Sequence, residues 1–250
     1  MIDPIALQLG PISIHWYGIA YMLSLIFAII IIWQLNKKRP VFKDKDQIFD
    51  FIFNVFLFGV ILGGRLGYVL FYNFSNYLNN PLKIFAIWEG GMSFHGGLIA
   101  SIIVTIWFCK KHKIKLMELG DLVIIPVPLA ISIGRIGNFI NGELVGRVIK
   151  NEKWMWLGER YPSQLFQSIS SFIVFLFLLF VYSKKPKTGM VFFGYLALHG
   201  FARFITEFWR APDEQIGFLM QYFTLGQFFS LVMIIVGIVG VIRVNLNKEY

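Results

Sequence analysis

The chain has 250 residues, of which 57% are hydrophobic and 15% charged, with a formal net charge of +9. A soluble domain carries roughly 25% charged residues, so a water-soluble core is excluded and a single polytopic membrane domain, residues 1–250, is expected. Nucleic acid is excluded as the reason for the positive charge, because the lysines stand in short tracts between apolar runs. The one cysteine, Cys109, excludes an internal disulfide and a paired-cysteine metal site.

Taken in chain order, the first sixteen residues hold Asp3 and no lysine or arginine. They lack the basic start of a signal peptide, so the N-terminus is expected to be retained. A spanning helix needs about 20 mostly apolar residues. Seven runs qualify, at 17–35, 48–72, 94–109, 119–140, 165–182, 189–209 and 222–242. The third is short. Pro126 and Pro128 should kink the fourth. Gly59, Gly63 and Gly67 share one face of the second and predict close helix packing. The connection 141–164 has mixed polarity and predicts a small cap. The expected fold is therefore an all-α integral membrane protein of about seven transmembrane helices.

Orientation follows from the basic residues. Fourteen lie in one set of loops, around Lys37–Lys45, Lys110–Lys115, Lys184–Lys187 and from Arg243 to Lys248; six lie in the opposite set. The first set is expected in the cytoplasm, which puts the N-terminus outside and the C-terminus inside. The remaining arginines, Arg65, Arg135 and Arg203, fall within spans. At ~1.5 Å per residue they lie ~26, ~24 and ~21 Å along spans that run outward, with Glu207 at ~27 Å. His95, His15 and Tyr17 stand at the starts of spans that run inward. Each arginine costs ~2.5–3.5 kcal/mol on insertion scales. Snorkelling and local pairs such as Arg203 with Glu207 are the bland account. Three arginines with histidines and a tyrosine on one side point instead to a pocket for an anion, and guanidinium groups bind phosphate in a bidentate way. The anion available at that depth is a phospholipid headgroup.

Two stretches carry the most information. Gly90-Gly91-Met92-Ser93-Phe94-His95-Gly96-Gly97 brackets a histidine with glycines that permit close approach. Gly134-Arg135-Ile136-Gly137-Asn138-Phe139-Ile140-Asn141-Gly142-Glu143-Leu144-Val145-Gly146-Arg147 sets arginine, two asparagines and glutamate at the end of a kinked span, a mixture that apolar packing does not need. With His15-Trp16-Tyr17-Gly18, Gly63-Gly64-Arg65-Leu66-Gly67-Tyr68, Pro162-Ser163-Gln164-Leu165 and Arg203-Phe204-Ile205-Thr206-Glu207-Phe208-Trp209-Arg210, these motifs resemble the prolipoprotein diacylglyceryl transferases over nearly the whole chain.

The resemblance implies an enzyme of the bacterial cytoplasmic membrane, with its active site toward the extracytoplasmic side. The family moves the diacylglyceryl group of phosphatidylglycerol onto the lipobox cysteine of a prolipoprotein, giving a thioether and glycerol 1-phosphate. It implies no metal and no diffusible cofactor. The thiolate is the reactive form of the substrate's thiol, and His95 is the expected general base. Arg203 and Arg135 are expected to stabilise the leaving phosphate, with Tyr17 orienting the base or the headgroup. Asn138, Glu143, Gly146, His199, Arg65 and Glu207 complete the expected substrate-binding set, Glu207 by holding Arg203. Cys109 sits at the other end of its span and is expected to pack. The chain departs from the family pattern at Tyr161, Phe166, Gln167 and His199, where the family commonly has His, Tyr, Glu and Tyr. His199 is thereby a second candidate base. The cap is shorter than in many members. A lipid or small-anion transporter and a non-catalytic scaffold are the competing readings. Transporters usually show internal inverted repeats and midplane sites, and the sequence has neither.

Overall fold

A computed structural model describes residues 3–10, 12–72, 74–86, 90–150, 152–211, 218–219 and 223–246. The chain opens with an antiparallel hairpin, β1 (Ile5–Leu9) and β2 (Ile12–His15), which runs directly into helix α1 (Trp16–Lys38). A second long helix follows in three parts: α2 (Lys45–Asn54), a π-helical stretch Val55–Gly63, and α3 (Gly64–Tyr72). Helix α4 (Phe74–Asn79) and a 3₁₀ turn (Pro81–Phe85) lead to α5 (Phe94–His112). Then come α6 (Leu116–Val123), α7 (Pro126–Ile140), a 3₁₀ turn (Glu152–Leu157), α8 (Ser163–Ser183) and α9 (Met190–Thr206). A two-residue pair, β3 (Phe218–Leu219) with β4 (Phe223–Thr224), precedes α10 (Leu225–Leu246).

Six helical stretches are long and apolar enough to cross a membrane, and α9 is a shorter apolar seventh. The protein is an all-α, multi-pass membrane protein. Most apolar side chains on these helices point outward, as Phe53, Phe71, Ile103, Ile173 and Ile235 do. In water that arrangement is unstable; against lipid tails it costs nothing. The observed stretches sit on the expected spans. The third is longer than expected, at 19 residues. The break between α6 and α7 falls at Ile124–Pro126, where proline lacks the N–H that a continuous helix requires. The N-terminal hairpin and the π-helical stretch were not expected from apolar periodicity, which registers the length of a run and not its hydrogen-bond register.

The chain forms two compact units, residues 35–119 and residues 1–34 with 120–250. In the smaller one, Phe42, Phe51 and Phe108 cluster with ring centroids 5.2–6.3 Å apart. Asp44 caps α2 by accepting from the Gln47 N–H at 2.8 Å. Gly59, Gly63 and Gly67 face Ser101, Ala100 and Gly96 of α5 so closely that a Cβ on any of the three collides with them. In the larger unit, α7 meets α8 through the Ser132 and Ser168 hydroxyls, 3.0 Å apart. Gly200, Gly237 and Gly240 let α9 and α10 touch backbone to backbone or ring. The Asp121 carboxylate, fully buried, accepts from the Gly189 and Phe192 N–H groups at 2.6 and 2.8 Å. It thereby satisfies donors that the first turn of α9 leaves orphaned.

Within the connection 141–164, residues 145–149 form a backbone clasp. The Arg147 N–H donates to Trp209 O at 2.9 Å, and the Tyr161 N–H donates to Arg147 O at 3.0 Å. The Ile149 N–H donates to Glu159 O at 2.9 Å, and the Ala211 N–H to Val145 O at 3.2 Å. One short extended segment thus ties the end of α7, the start of α8 and the end of α9 together.

Candidate active site

Eight of the ten expected site residues fall in the larger unit: Tyr17, Arg135, Asn138, Glu143, Gly146, His199, Arg203 and Glu207. The other two, Arg65 and His95, fall in the smaller.

The larger unit's site grows from two helix ends. On the last turn of α9, Arg203 Nη1 lies 2.7 Å from Glu207 Oε2, the side chains being 15% and 4% exposed. The helical i,i+4 spacing puts the two on one face. Arg203 Nη1 also donates to Gln167 Oε1 of α8 at 3.2 Å. The second Glu207 oxygen accepts from the Thr224 hydroxyl at 3.1 Å. Arg210 Nη1 approaches Glu207 Oε2 at 3.9 Å. One buried carboxylate therefore faces two guanidinium groups, and the local balance is positive. Gly226, at the start of α10, is where the helix comes closest: a Cβ there would stand 2.7 Å from Glu207 Oε1 and 3.3 Å from Arg203 Nη2.

The other end is that of α7. Arg135 Nη1 donates to Asn138 Oδ1 at 3.2 Å, and Asn138 Nδ2 donates to Glu143 Oε2 at 3.0 Å. The Glu143 N–H donates to Asn138 O at 2.9 Å, and Gln164 Nε2 donates to Glu143 O at 2.6 Å. The Arg-x-x-Asn spacing puts both side chains on one helical turn, and Gly142, with φ +68°, reverses the chain so that Glu143 returns to them. Tyr17 packs against Gly137, and its hydroxyl is 2.7 Å from that of Tyr21. Tyr17 lies within electrostatic range of Glu143 and Arg135, and Arg135 within range of Arg210 and Glu207. His199 lies within range of Arg203 and Arg135. Its ring stacks on Tyr195 at 5.1 Å, and its buried Nδ1 has no hydrogen-bond partner.

Gly146 lies in the clasp, where close backbone packing accounts for a glycine. It pairs with Arg210 across the clasp, and a Cβ there would run into the Tyr161 carbonyl. Arg65 departs from the headgroup role expected of it. It is 2% exposed, and its N–H groups go to backbone carbonyls of its own unit, which leaves no donor for a lipid. His95 stands exposed in the first turn of α5, two residues after Ser93, whose hydroxyl caps that helix. Cys109 is buried near the opposite end of α5. Among the described residues no group of histidine, cysteine and carboxylates is arranged to hold a metal ion.

Thr224 and Gly226 are site residues that motif reading did not reach, and Gln167 stood out only as a departure from a pattern. Arg210 closed a family motif but was given no role in the site. A polar Thr and Gln flanking Gly226 at the head of an apolar run was the available signal.

These elements define a polytopic membrane protein with clusters of arginines tied to carboxylates, an asparagine and a glutamine at the ends of its helices. Comparison with known proteins narrows the class. A family model described as prolipoprotein diacylglyceryl transferase matches residues 4–243. A phosphatidylglycerol–prolipoprotein diacylglyceryl transferase of Geobacter sulfurreducens is 41% identical over 254 residues, 99% of this chain and 97% of its own. One from Francisella tularensis subsp. holarctica is 42% identical over 260 residues, covering 99% and 95%, and one from Neisseria gonorrhoeae is 40% identical over 279, covering 99% and 98%. The chain belongs to the prolipoprotein diacylglyceryl transferase family and is, with it, a transferase. That membership favours the enzyme over the transporter reading.

Proposed function

We propose that this protein transfers the diacylglyceryl group of phosphatidylglycerol to the thiol of the lipobox cysteine in a prolipoprotein. The observation that carries the proposal is the Arg203–Glu207 pair, its carboxylate buried and its guanidinium half-buried, with Gln167 and Arg210 around it, in a chain of transferase sequence. Such a centre keeps a net positive charge in a low-dielectric setting, where a phosphate is held strongly.

The reaction follows from that charge. The thiol gives its proton to His95, and the sulfur attacks the glyceryl carbon that carries the phosphate. A carbon–sulfur bond forms as the carbon–oxygen bond breaks. The electron pair leaves on the phosphate oxygen, so that glycerol 1-phosphate departs with more negative charge than it had as a diester. Arg203 and Arg135 meet that growing charge. Glu207 and Gln167 hold Arg203 still, and Asn138 with Glu143 hold Arg135 and accept from glycerol hydroxyls. Tyr17 packs beside this chain and orients the headgroup. The positive end of the α5 dipole favours a thiolate near His95. His199 offers a free ring nitrogen beside Arg203 and serves as a substrate contact. No step calls for a metal or cofactor.

The asymmetry of the basic loops supports a cytoplasmic-membrane location, with the N-terminus and the site toward the extracytoplasmic side and the C-terminus inside. The test is mass spectrometry of a lipobox peptide incubated with phosphatidylglycerol and purified protein. A diacylglyceryl mass gain on the cysteine is expected. Its absence, with the protein folded and both substrates present, overturns the proposal.

A further inference from the structure

We infer that Arg65 is a positioning residue for His95, acting through the turn at Gly90–Ser93. This rests on the reading that His95 takes the thiol proton.

Arg65 sits on α3 with a fork of five N–H donors. Nε donates to Ile84 O at 2.8 Å, and Nη2 donates to Lys83 O at 2.6 Å and Ala86 O at 3.0 Å. Nη1 donates to the carbonyls of Gly90 and Gly91. Five donors thus meet five carbonyls, and the Tyr77 ring closes one side with its centroid 5.2 Å from Cζ. An arginine that is 2% exposed and fully satisfied by its own backbone is a tie, not a ligand.

What it ties is the approach to His95. Gly90 and Gly91 lie at φ +83° and +79°, a run of left-handed backbone that side chains resist. A Cβ on Gly91 would stand 2.6 Å from the Tyr68 ring and 2.9 Å from Arg65 Nη1, so the turn is wrapped on the arginine. Two residues on, the Ser93 N–H donates to the carbonyl of Gly64, the neighbour of Arg65, at 2.8 Å. The Ser93 hydroxyl accepts from the Gly96 N–H at 3.2 Å, capping α5. Gly96 is in turn pressed against Gly67, whose Cβ would fall 2.6 Å from the Gly96 Cα. His95 therefore stands between two pinned positions, Ser93 and Gly96. Both are fixed to α3, and the turn that delivers the chain to them is fixed by Arg65.

The test measures thioether formation by full-length protein in phosphatidylglycerol nanodiscs, per mole of folded enzyme. Arg65→Lys keeps the charge but has three donors in place of the fork. Because a misplacement of about 1 Å costs about 100-fold, kcat is expected to fall by about that factor, with KM for phosphatidylglycerol unchanged. Gly91→Ala disturbs the same turn while Arg65 stays, and the same split is expected. It also carries the test alone where an Arg65 variant does not fold. A selenocysteine lipobox peptide separates positioning from general damage. A selenol ionises more readily than a thiol and needs less help from a base, so the loss is expected to shrink with that peptide, as it does for His95→Ala. A rise in KM with kcat intact makes Arg65 a headgroup ligand and overturns the inference. So does an equal loss with both peptides, or a Gly91→Ala enzyme with wild-type kcat. If His95→Ala itself keeps full activity, the reading beneath the inference has failed, whatever the Arg65 variants show.

Discussion

Replacing Glu207 by Gln removes one charge from the tightest part of the site and almost no volume. The carboxylate is 4% exposed and lies 2.7 Å from Arg203. Removing one partner of a buried pair typically costs about 3–5 kcal/mol, because the other charge is left uncompensated. Here the amide oxygen can still accept from Thr224 or Arg203, and Gln167 remains, so the loss falls nearer the cost of weakened charged hydrogen bonds, about 1–3 kcal/mol. For a chain of this size that corresponds to a fall in Tm of about 2–12 °C. The effect on chemistry is larger. In the proposed reaction, an arginine released from its tether no longer meets the departing phosphate, and kcat is expected to fall about 10–100-fold. The assay is thermal unfolding in detergent beside steady-state thioether formation, with Arg203→Gln and the double variant closing a cycle. A coupling of about 1–3 kcal/mol between the two positions is expected. Additive effects, or a Glu207→Gln enzyme with wild-type Tm and kcat, would refute the claim that this carboxylate holds Arg203.

Further outcomes follow from particular residues. Gly226→Ala drives a methyl against Glu207 and Arg203 and should lower kcat about tenfold; Gly194→Ala, in open space on α9, should leave kcat unchanged and stabilise by about 0.5–1 kcal/mol. Gly146→Ala forces the clasp apart at Tyr161, with a loss of several kcal/mol seen as a large fall in Tm. Asp121→Ala leaves the first N–H groups of α9 unsatisfied and should cost about 2–3 kcal/mol, read as earlier unfolding. Cys109→Ala should retain wild-type turnover if, as proposed, the attacking thiol is the substrate's; loss of thioether formation by a folded variant would put a protein thiol in the reaction.

The spans were legible because lipid imposes a simple rule: every backbone donor must be satisfied within the segment while side chains stay apolar. That rule fixes length and composition and little else. It is silent on how a helix is wound, so the π-helical stretch Val55–Gly63 left no trace in hydropathy. It is also silent on segments at the ends of spans, where water and headgroups relax the constraint. The hairpin before Trp16 and the clasp through Gly146 both belong there. Gly59, Gly63 and Gly67 were readable for the opposite reason: close helix contact admits only small residues, and their spacing marks a face.

The site was readable where its residues share a helix turn and obscure where they do not. Arg203 with Glu207, and Arg135 with Asn138, meet because i,i+4 and i,i+3 neighbours must. Thr224, Gly226 and Gln167 reach the same ion pair from other elements, and no spacing in the chain announces that approach. Arg65 shows the converse. Its depth and charge matched those of Arg135 and Arg203, and nothing in the sequence near it says which partner it takes. The answer lies 18 to 26 residues later, in five carbonyls. A buried arginine must be satisfied by something. Where the chain itself supplies acceptors for all five donors, as for Arg65, the residue shapes its own unit; where a carboxylate and a glutamine meet one guanidinium nitrogen, as for Arg203, the proposed reaction assigns the residue to the departing phosphate.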